Sequence, residues 1–231
     1  MLSTIRNLSF IVMEKYKAKI YPKQDSPRLF QNKVLEFLTK THPLTIDAMY
    51  ILLGAFFIHF YYQNFSQNIV QIVLIFIVGF FTWTFFEYMM HRFLYHDLKD
   101  ASYSNKFNYL FHGIHHEYPS DQSRVVLPVL PSLLFATIFF GLFYLILGKH
   151  AFVFSAGFLI GYISYMTIHY AVHRFPAPKR FSFWWTFHNI HHYQQHDRAF
   201  GVTNPFWDML FGTMPEKNRK TIEIHLTKEA S

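Results

Sequence analysis

The chain is 231 residues long, a length that suits one domain, and only 15% of it is charged, against about 25% in ordinary globular proteins. Phe (29), Tyr (15) and Trp (4) are abundant instead, as in membrane proteins with aromatic belts. The net charge of +7 lies largely in the first 40 residues and near the C-terminus, which argues for lipid contact and topology signals rather than nucleic-acid binding. Cysteine is absent, which excludes disulfides, thiolate nucleophiles and Cys-based metal sites.

In chain order, residues 1–40 read as a basic arm or interfacial segment, because the apolar run Leu8–Met13 is too short for a signal peptide. Four apolar segments then have spanning character: Pro43–Tyr62, Ile69–Met90, Val125–Leu147 and Ala151–Val172. The short links "QNFSQN" and "GKH" predict two helical hairpins. Arg6, Lys15, Lys17, Lys19, Lys23, Arg28, Lys33 and Lys40 crowd the arm, while the links hold only Lys149. By the positive-inside rule both termini and the 94–124 loop face the cytoplasm. Residues 216–231 read as a polar, solvated tail.

Ten histidines fall at or beyond the predicted cytoplasmic ends of the second and fourth segments: His91, His96, His112, His115, His116, His169, His173, His188, His191 and His192. His169 and His173 are about 40° apart on a helix, and "HGIHH" and "HNIHH" each place three imidazoles on one helical face. His91 and His96 are about 140° apart on a continuous α-helix, so either the helix ends near Tyr95 or the two serve different metals. "HRF" precedes a triple in each half (His91–Phe93, His173–Phe175), which reads as an internal duplication.

Neutral imidazoles gathered without counter-ions call for metal. Ten exceed one coordination sphere and suit two ions of about five ligands each; Zn, Cu, Fe and Ni all accept imidazole. Asp97, Glu117, Asp121 and Glu87 are candidates to accept the outer ring N–H and orient the ligands. His42, His59, His150 and His225 read as surface or capping groups.

The ordered set HRFLYH (91–96), HGIHH (112–116), HYAVH (169–173) and HNIHH (188–192) resembles the membrane-bound fatty acid hydroxylase/sterol desaturase superfamily, and within it the fatty acid 2-hydroxylase branch. "HHEYPSDQSRVVLPV" and "FGVTNPFWDMLFGT" extend the likeness over residues 41–215. The resemblance implies an all-α integral membrane enzyme: four spans capped by a cytoplasmic histidine-rich domain holding two iron ions on all ten histidines. It implies O₂-dependent hydroxylation at the 2-position of a fatty acyl chain, free or in sphingolipid. Zinc can fill such sites but has no redox chemistry. Many relatives carry a cytochrome domain that residues 1–40 cannot house. A separate electron donor, a b-type cytochrome or a ferredoxin with its reductase, is therefore expected. The expected location is the endoplasmic reticulum in a eukaryote, or the inner membrane in a bacterium. A cleft lined by Phe85, Phe86 and Tyr165 is the expected home of the acyl chain.

Two other readings compete. Attack on a sterol, carotenoid or alkyl chain, or desaturation, would use the same ligands, since cleft shape selects the C–H bond. A metal transporter would need polar groups along the whole span, whereas Glu87 and His169 sit near one face.

Overall fold

The computed structural model describes residues 20–96 and 108–218. It is helical: α1 (Lys33–Leu38), α2 (Pro43–Asn64), α3 (Ile69–Met89), α4 (Ile114–Glu117), α5 (Val129–Leu147), α6 (Ala151–Arg174), α7 (Ser182–Tyr193) and α8 (Phe206–Leu210). Three stretches are long and apolar enough to cross a membrane: Pro43–Asn64, Ile69–Tyr95 and the 53-residue Gln122–Arg174. The last contains both α5 and α6, folded at a 3₁₀ turn, Gly148–His150, where Gly148 takes φ 53°. A residue without a Cβ enters this left-handed region without strain.

The helices begin where the sequence supplies caps. The Asn68 side chain accepts from the Gln71 amide (3.0 Å) to open α3, and His42 Nδ1 accepts from Leu44 N–H (3.3 Å) ahead of Pro43. His150 pairs with the Tyr61 hydroxyl (2.9 Å) at the opposite end from the histidine clusters.

The main packing is α3 against α6, with α2 on α6 beside it. Glycines allow the approach. A Cβ at Gly79 would stand 2.0 Å from the Phe154 carbonyl oxygen, and one at Gly157 would stand 2.0 Å from the Phe76 carbonyl oxygen. In lipid there is no solvent-driven association between helices, so such close van der Waals contact carries the interface. It also sets the function-bearing ends together: α3 runs into His91 and α6 ends with His169 and His173.

Residues 20–41 lie across the 117–125 turn. Tyr21 stacks on Tyr118 (5.3 Å), Tyr21 N–H donates to the Glu117 carbonyl (2.7 Å), and Thr41 N–H donates to the Ser123 carbonyl (2.9 Å). Arg124 reaches back to Glu36 at 2.6 Å. Burial opposes ionisation of Glu36, but the Leu29 and Phe30 amides and the Arg124 charge together hold its carboxyl below the usual range.

Candidate metal centre

Two groups of five imidazoles converge, each able to hold an ion. One is His91, His96, His112, His116 and His191; the other is His115, His169, His173, His188 and His192. Within each group one nitrogen per ring lies within 4.8 Å of all the others. Two ligands on opposite sides of one ion stand about 4.2 Å apart at ordinary metal–imidazole bond lengths, so these rings need only small movements to share a cation. Nine of the ten residues are buried and His173 is half-buried.

The grouping crosses the sequence motifs. In HGIHH, His112 and His116 join the first group while His115 joins the second. In HNIHH the roles reverse: His188 and His192 join the second and His191 the first. Each triple therefore gives its two i,i+4 rings to its own half and its middle ring to the other.

His91 and His96 share the first group, because Met90–Tyr95 is a π-helix that ends at extended His96 (φ −103°, ψ 136°). Hydrogen bonding from i to i+5 brings residues five apart near the same face, and such turns recur at functional sites. The helix does end near Tyr95, the first of the two options, and the two rings converge on one group.

Several nitrogens face each other as only a shared cation or proton allows. His91 and His112 Nε2 stand 3.0 Å apart, His112 and His116 Nε2 3.0 Å, and His96 and His191 Nε2 3.0 Å. In the second group, His115–His173 and His173–His188 Nε2 pairs are 3.1 and 2.9 Å apart. His91 Nδ1–H donates to the Phe200 carbonyl (2.6 Å) and His191 Nδ1–H to the Arg198 carbonyl (2.7 Å), so Nε2 of each neutral ring keeps its lone pair. Burial, then neighbouring imidazoles, holds His96, His112, His115, His116, His188, His191 and His192 well below the ordinary histidine range. These rings are neutral and metal-ready at physiological pH. The donor set fits two metal ions.

The anticipated carboxylate shell differs. Glu117 accepts from the Tyr109 hydroxyl (2.7 Å), and Asp121 accepts from Ser26 and Ser123; among the described residues neither carboxylate bonds a histidine ring. Asp121 is instead the cap of the short 3₁₀ helix Gln122–Arg124. Glu87 accepts from the amide (2.7 Å) and hydroxyl of Thr203, one step removed from His91. Asp97 lies outside the described residues. At His91 and His191 backbone carbonyls of the 198–203 loop take the outer position where acids were anticipated.

Sequence reading passed over His196. It is buried, its Nε2–H donates to the His192 carbonyl (2.7 Å), and its ring lies 4.8 Å from that of His116. Burial pushes it down to about 4, against the opposing effects of that hydrogen bond and of Asp197. Its position four residues after His192 was the available signal.

One apolar cavity adjoins the centre through Tyr95, and a second continues from it between the helices. The first, of about 30 Å³, is lined by Tyr50, Tyr95, Ser132 and Tyr162, among others; the other, about 190 Å³, lies between α2, α5 and α6. Both border Ala136, Phe139, Phe158 and Leu159. Tyr95, in the lining, stacks on His112 (5.2 Å); Tyr165, expected to line the cleft, lies outside both cavities, stacked between lining Tyr162 (6.1 Å) and His169 (5.4 Å). Phe86 packs on Phe139 (5.0 Å), whereas Phe85 turns to Trp207 (4.9 Å), away from the cavities it was expected to line.

Apolar membrane-length helices thus end in two adjoining, buried groups of imidazoles that could each hold a metal ion. The family model described as fatty acid hydroxylase matches residues 76–213. The chain belongs to the fatty acid hydroxylase family.

Among curated proteins, the chain is 32% identical over 199 residues to an Arabidopsis thaliana dihydroceramide fatty acyl 2-hydroxylase, covering 83% of this chain and 81% of that protein. It is 34% identical over 203 residues to the Schizosaccharomyces pombe ceramide very long chain fatty acid hydroxylase scs7, covering 86% and 58%. With human fatty acid 2-hydroxylase the identity is 31% over 230 residues, covering 88% and 61%. The solved structure of full-length scs7p, in which only the hydroxylase domain is visible, matches with a TM-score of 0.76 at 32% identity, over 84% of this chain and 74% of that one.

Proposed function

We propose that this hydroxylase inserts a hydroxyl at the 2-position of a fatty acyl chain, free or in ceramide-type sphingolipid. The observation that carries the reading is the pair of five-imidazole groups beside an apolar cavity, in a chain whose curated relatives are named fatty acyl and ceramide 2-hydroxylases. Attack on a sterol or carotenoid draws no support from those names. A transporter draws none from helices whose polar groups gather at one end.

In this reading all ten histidines hold two iron ions, which supply the redox chemistry for O₂ when bound. The residues around them position and shield. The acyl chain enters from the lipid side and lies past Phe139 and Phe158 toward Phe143, with its carbonyl end near Tyr95 and Tyr162. That alignment puts the second carbon, rather than a mid-chain one, beside the imidazoles. Ser132, bonded to Tyr50 (2.7 Å), adds a polar point at the carbonyl end of the same cavity. The balance is R–H plus O₂ plus two electrons and two protons, giving R–OH and water. A separate one-electron carrier, a b-type cytochrome or ferredoxin with its reductase, is the proposed source of the electrons.

The chain crosses the bilayer four times in this reading, because Gln122–Arg174 is about twice the length one crossing needs. Its basic segments put both termini and the histidine centre on the cytoplasmic side, in the endoplasmic reticulum or a bacterial inner membrane. Residues 41–215 are the catalytic domain, between a basic arm and a polar tail.

Expression in cells lacking acyl hydroxylase, followed by lipid mass spectrometry, tests the activity. 2-Hydroxylated acyl chains should accumulate. Their absence with iron, O₂ and a competent reductant supplied would refute the substrate assignment.

A further inference from the structure

Residues Ala199 to Thr203 form no helix, yet their amides are tied down almost one after another. Ala199 N–H donates to the Thr213 carbonyl (2.9 Å). Phe200 and Gly201 donate to the two oxygens of Asp208 (2.9 and 2.8 Å), which also accepts from the Thr213 hydroxyl (2.7 Å). Thr203 donates to Glu87 through its amide (2.7 Å) and its hydroxyl, with the Val202 amide alongside. Both carboxylates are buried, Asp208 fully. A buried carboxylate is retained only with such a set of donors.

The loop does one visible thing with its other side. Ala199 takes φ 59°, the one non-glycine residue with positive φ among those described. The carbonyls flanking that twist, Arg198 and Phe200, point at His191 and His91. Both rings belong to the first group. No second-group ring meets a carbonyl of this loop among the described residues, and Nδ1 of His115, His169, His188 and His192 has no hydrogen-bond partner there. The two groups are therefore built unequally.

We propose that Glu87 and Asp208 are positioning residues for one metal only. Through the 199–203 loop they hold the two carbonyls that fix His91 and His191 as Nδ1–H tautomers, and so present Nε2 of each to the ion of the first group. The ion of the second group does not depend on them. This rests on the proposed ligand set.

An amide in place of either carboxylate turns an N–H₂ toward a backbone N–H and releases the loop. Loss of such outer contacts typically weakens metal affinity about 10–100-fold. The test uses full-length protein in detergent, loaded with zinc and challenged with graded chelator, with retained zinc counted per chain. Wild type retains two ions. Asp208→Asn and Glu87→Gln should each lose one ion at about 10–100-fold lower chelator while the second persists at its wild-type level. Adding His115→Ala to Asp208→Asn should then remove the remaining ion, whereas adding His91→Ala should remove nothing more. Thr203→Val, which keeps the backbone bond and deletes only the hydroxyl donor, should shift the same ion by several-fold and serves if the carboxylate variants misfold. Unchanged retention of both ions, or parallel loss of both, overturns the proposal. Fewer than two ions in wild type overturns the ligand set beneath it.

Discussion

His116 and His192 stack face to face, centroids 4.0 Å apart and planes within 8°, although each belongs to a different five-imidazole group. The two groups thus touch through parallel rings, and adjacent residues such as His115 and His116 diverge into separate spheres. That relationship distinguishes sequence neighbours from functional partners.

The first prediction follows from it. His115→Ala should strip the ion held by the α6 and α7 histidines, while His112→Ala strips the other. Each should reduce product formation by more than about 100-fold, since a ligand matters at least as much as the contacts behind it. Metal analysis of each single variant and of the pair checks this: the pair should hold none. Equal residual metal in the pair and in either single variant would contradict it.

Acidification should empty the centre. Each ring is neutral when folded, with its proton affinity depressed, and takes up a proton near pH 6.5 once exposed. Below that pH the unfolded chain binds more protons than the folded one. Stability therefore falls as pH falls, by up to about 1.4 kcal/mol per unit for each such ring. Metal retention has the same sign, because the ions bind the neutral rings of the folded chain and not the protonated rings of the unfolded one. Bound metal should be constant above about pH 7 and decline between about pH 6.5 and about pH 5. Dialysis at graded pH followed by metal analysis measures it.

Gly79→Ala and Gly157→Ala each push a methyl onto a backbone carbonyl of the facing helix, so each should destabilise by about 1–3 kcal/mol. Gly141, with nothing within 4 Å of an added Cβ, is the control: Gly141→Ala should be neutral or stabilise by up to about 1 kcal/mol. Thermal unfolding in detergent compares the three.

Ala136 borders both cavities, at their junction. Ala136→Phe should close the larger cavity to the chain end and move products toward shorter acyl groups, with total turnover less affected than chain length. Mass spectrometry of the hydroxylated lipids reads the distribution. An unchanged distribution would exclude this cavity as the acyl site.

Arg124 and Glu36 form a pair with side chains only 2% and 10% exposed. Arg124→Met leaves Glu36 its two amide donors and exposed Lys40 but no buried cation, and should cost up to about 3 kcal/mol. Faster proteolysis within residues 22–40, ahead of cleavage elsewhere, would be its signature.

Much of this centre was legible in the sequence, since four-residue spacings of histidine fix a shared helical face whatever surrounds them. The division between groups was not. Offsets of zero, three and four put His112, His115 and His116 on one face, and only the partner helix decides which ring goes where. The five-residue gap from His91 to His96 left two options because α-helical geometry was assumed, and a π-turn escapes that assumption. The outer shell was misread for a similar reason. Carboxylates near in sequence were natural suspects, but the Phe200 carbonyl reaches His91 from 109 residues away and the Arg198 carbonyl reaches His191 from only seven. A backbone carbonyl has no sequence signature.

The exchanged middle histidines have a consequence for how the molecule can fail. Each half supplies four rings to its own ion and donates a fifth across the boundary, so neither half is complete alone. A separation of α4 from α7 would leave both ions short of a ligand together, so parting the halves should release both, whereas loss of one ligand or one outer contact releases only its own ion. An isolated half could fill its coordination set only by meeting a complementary half, in the same chain or in another.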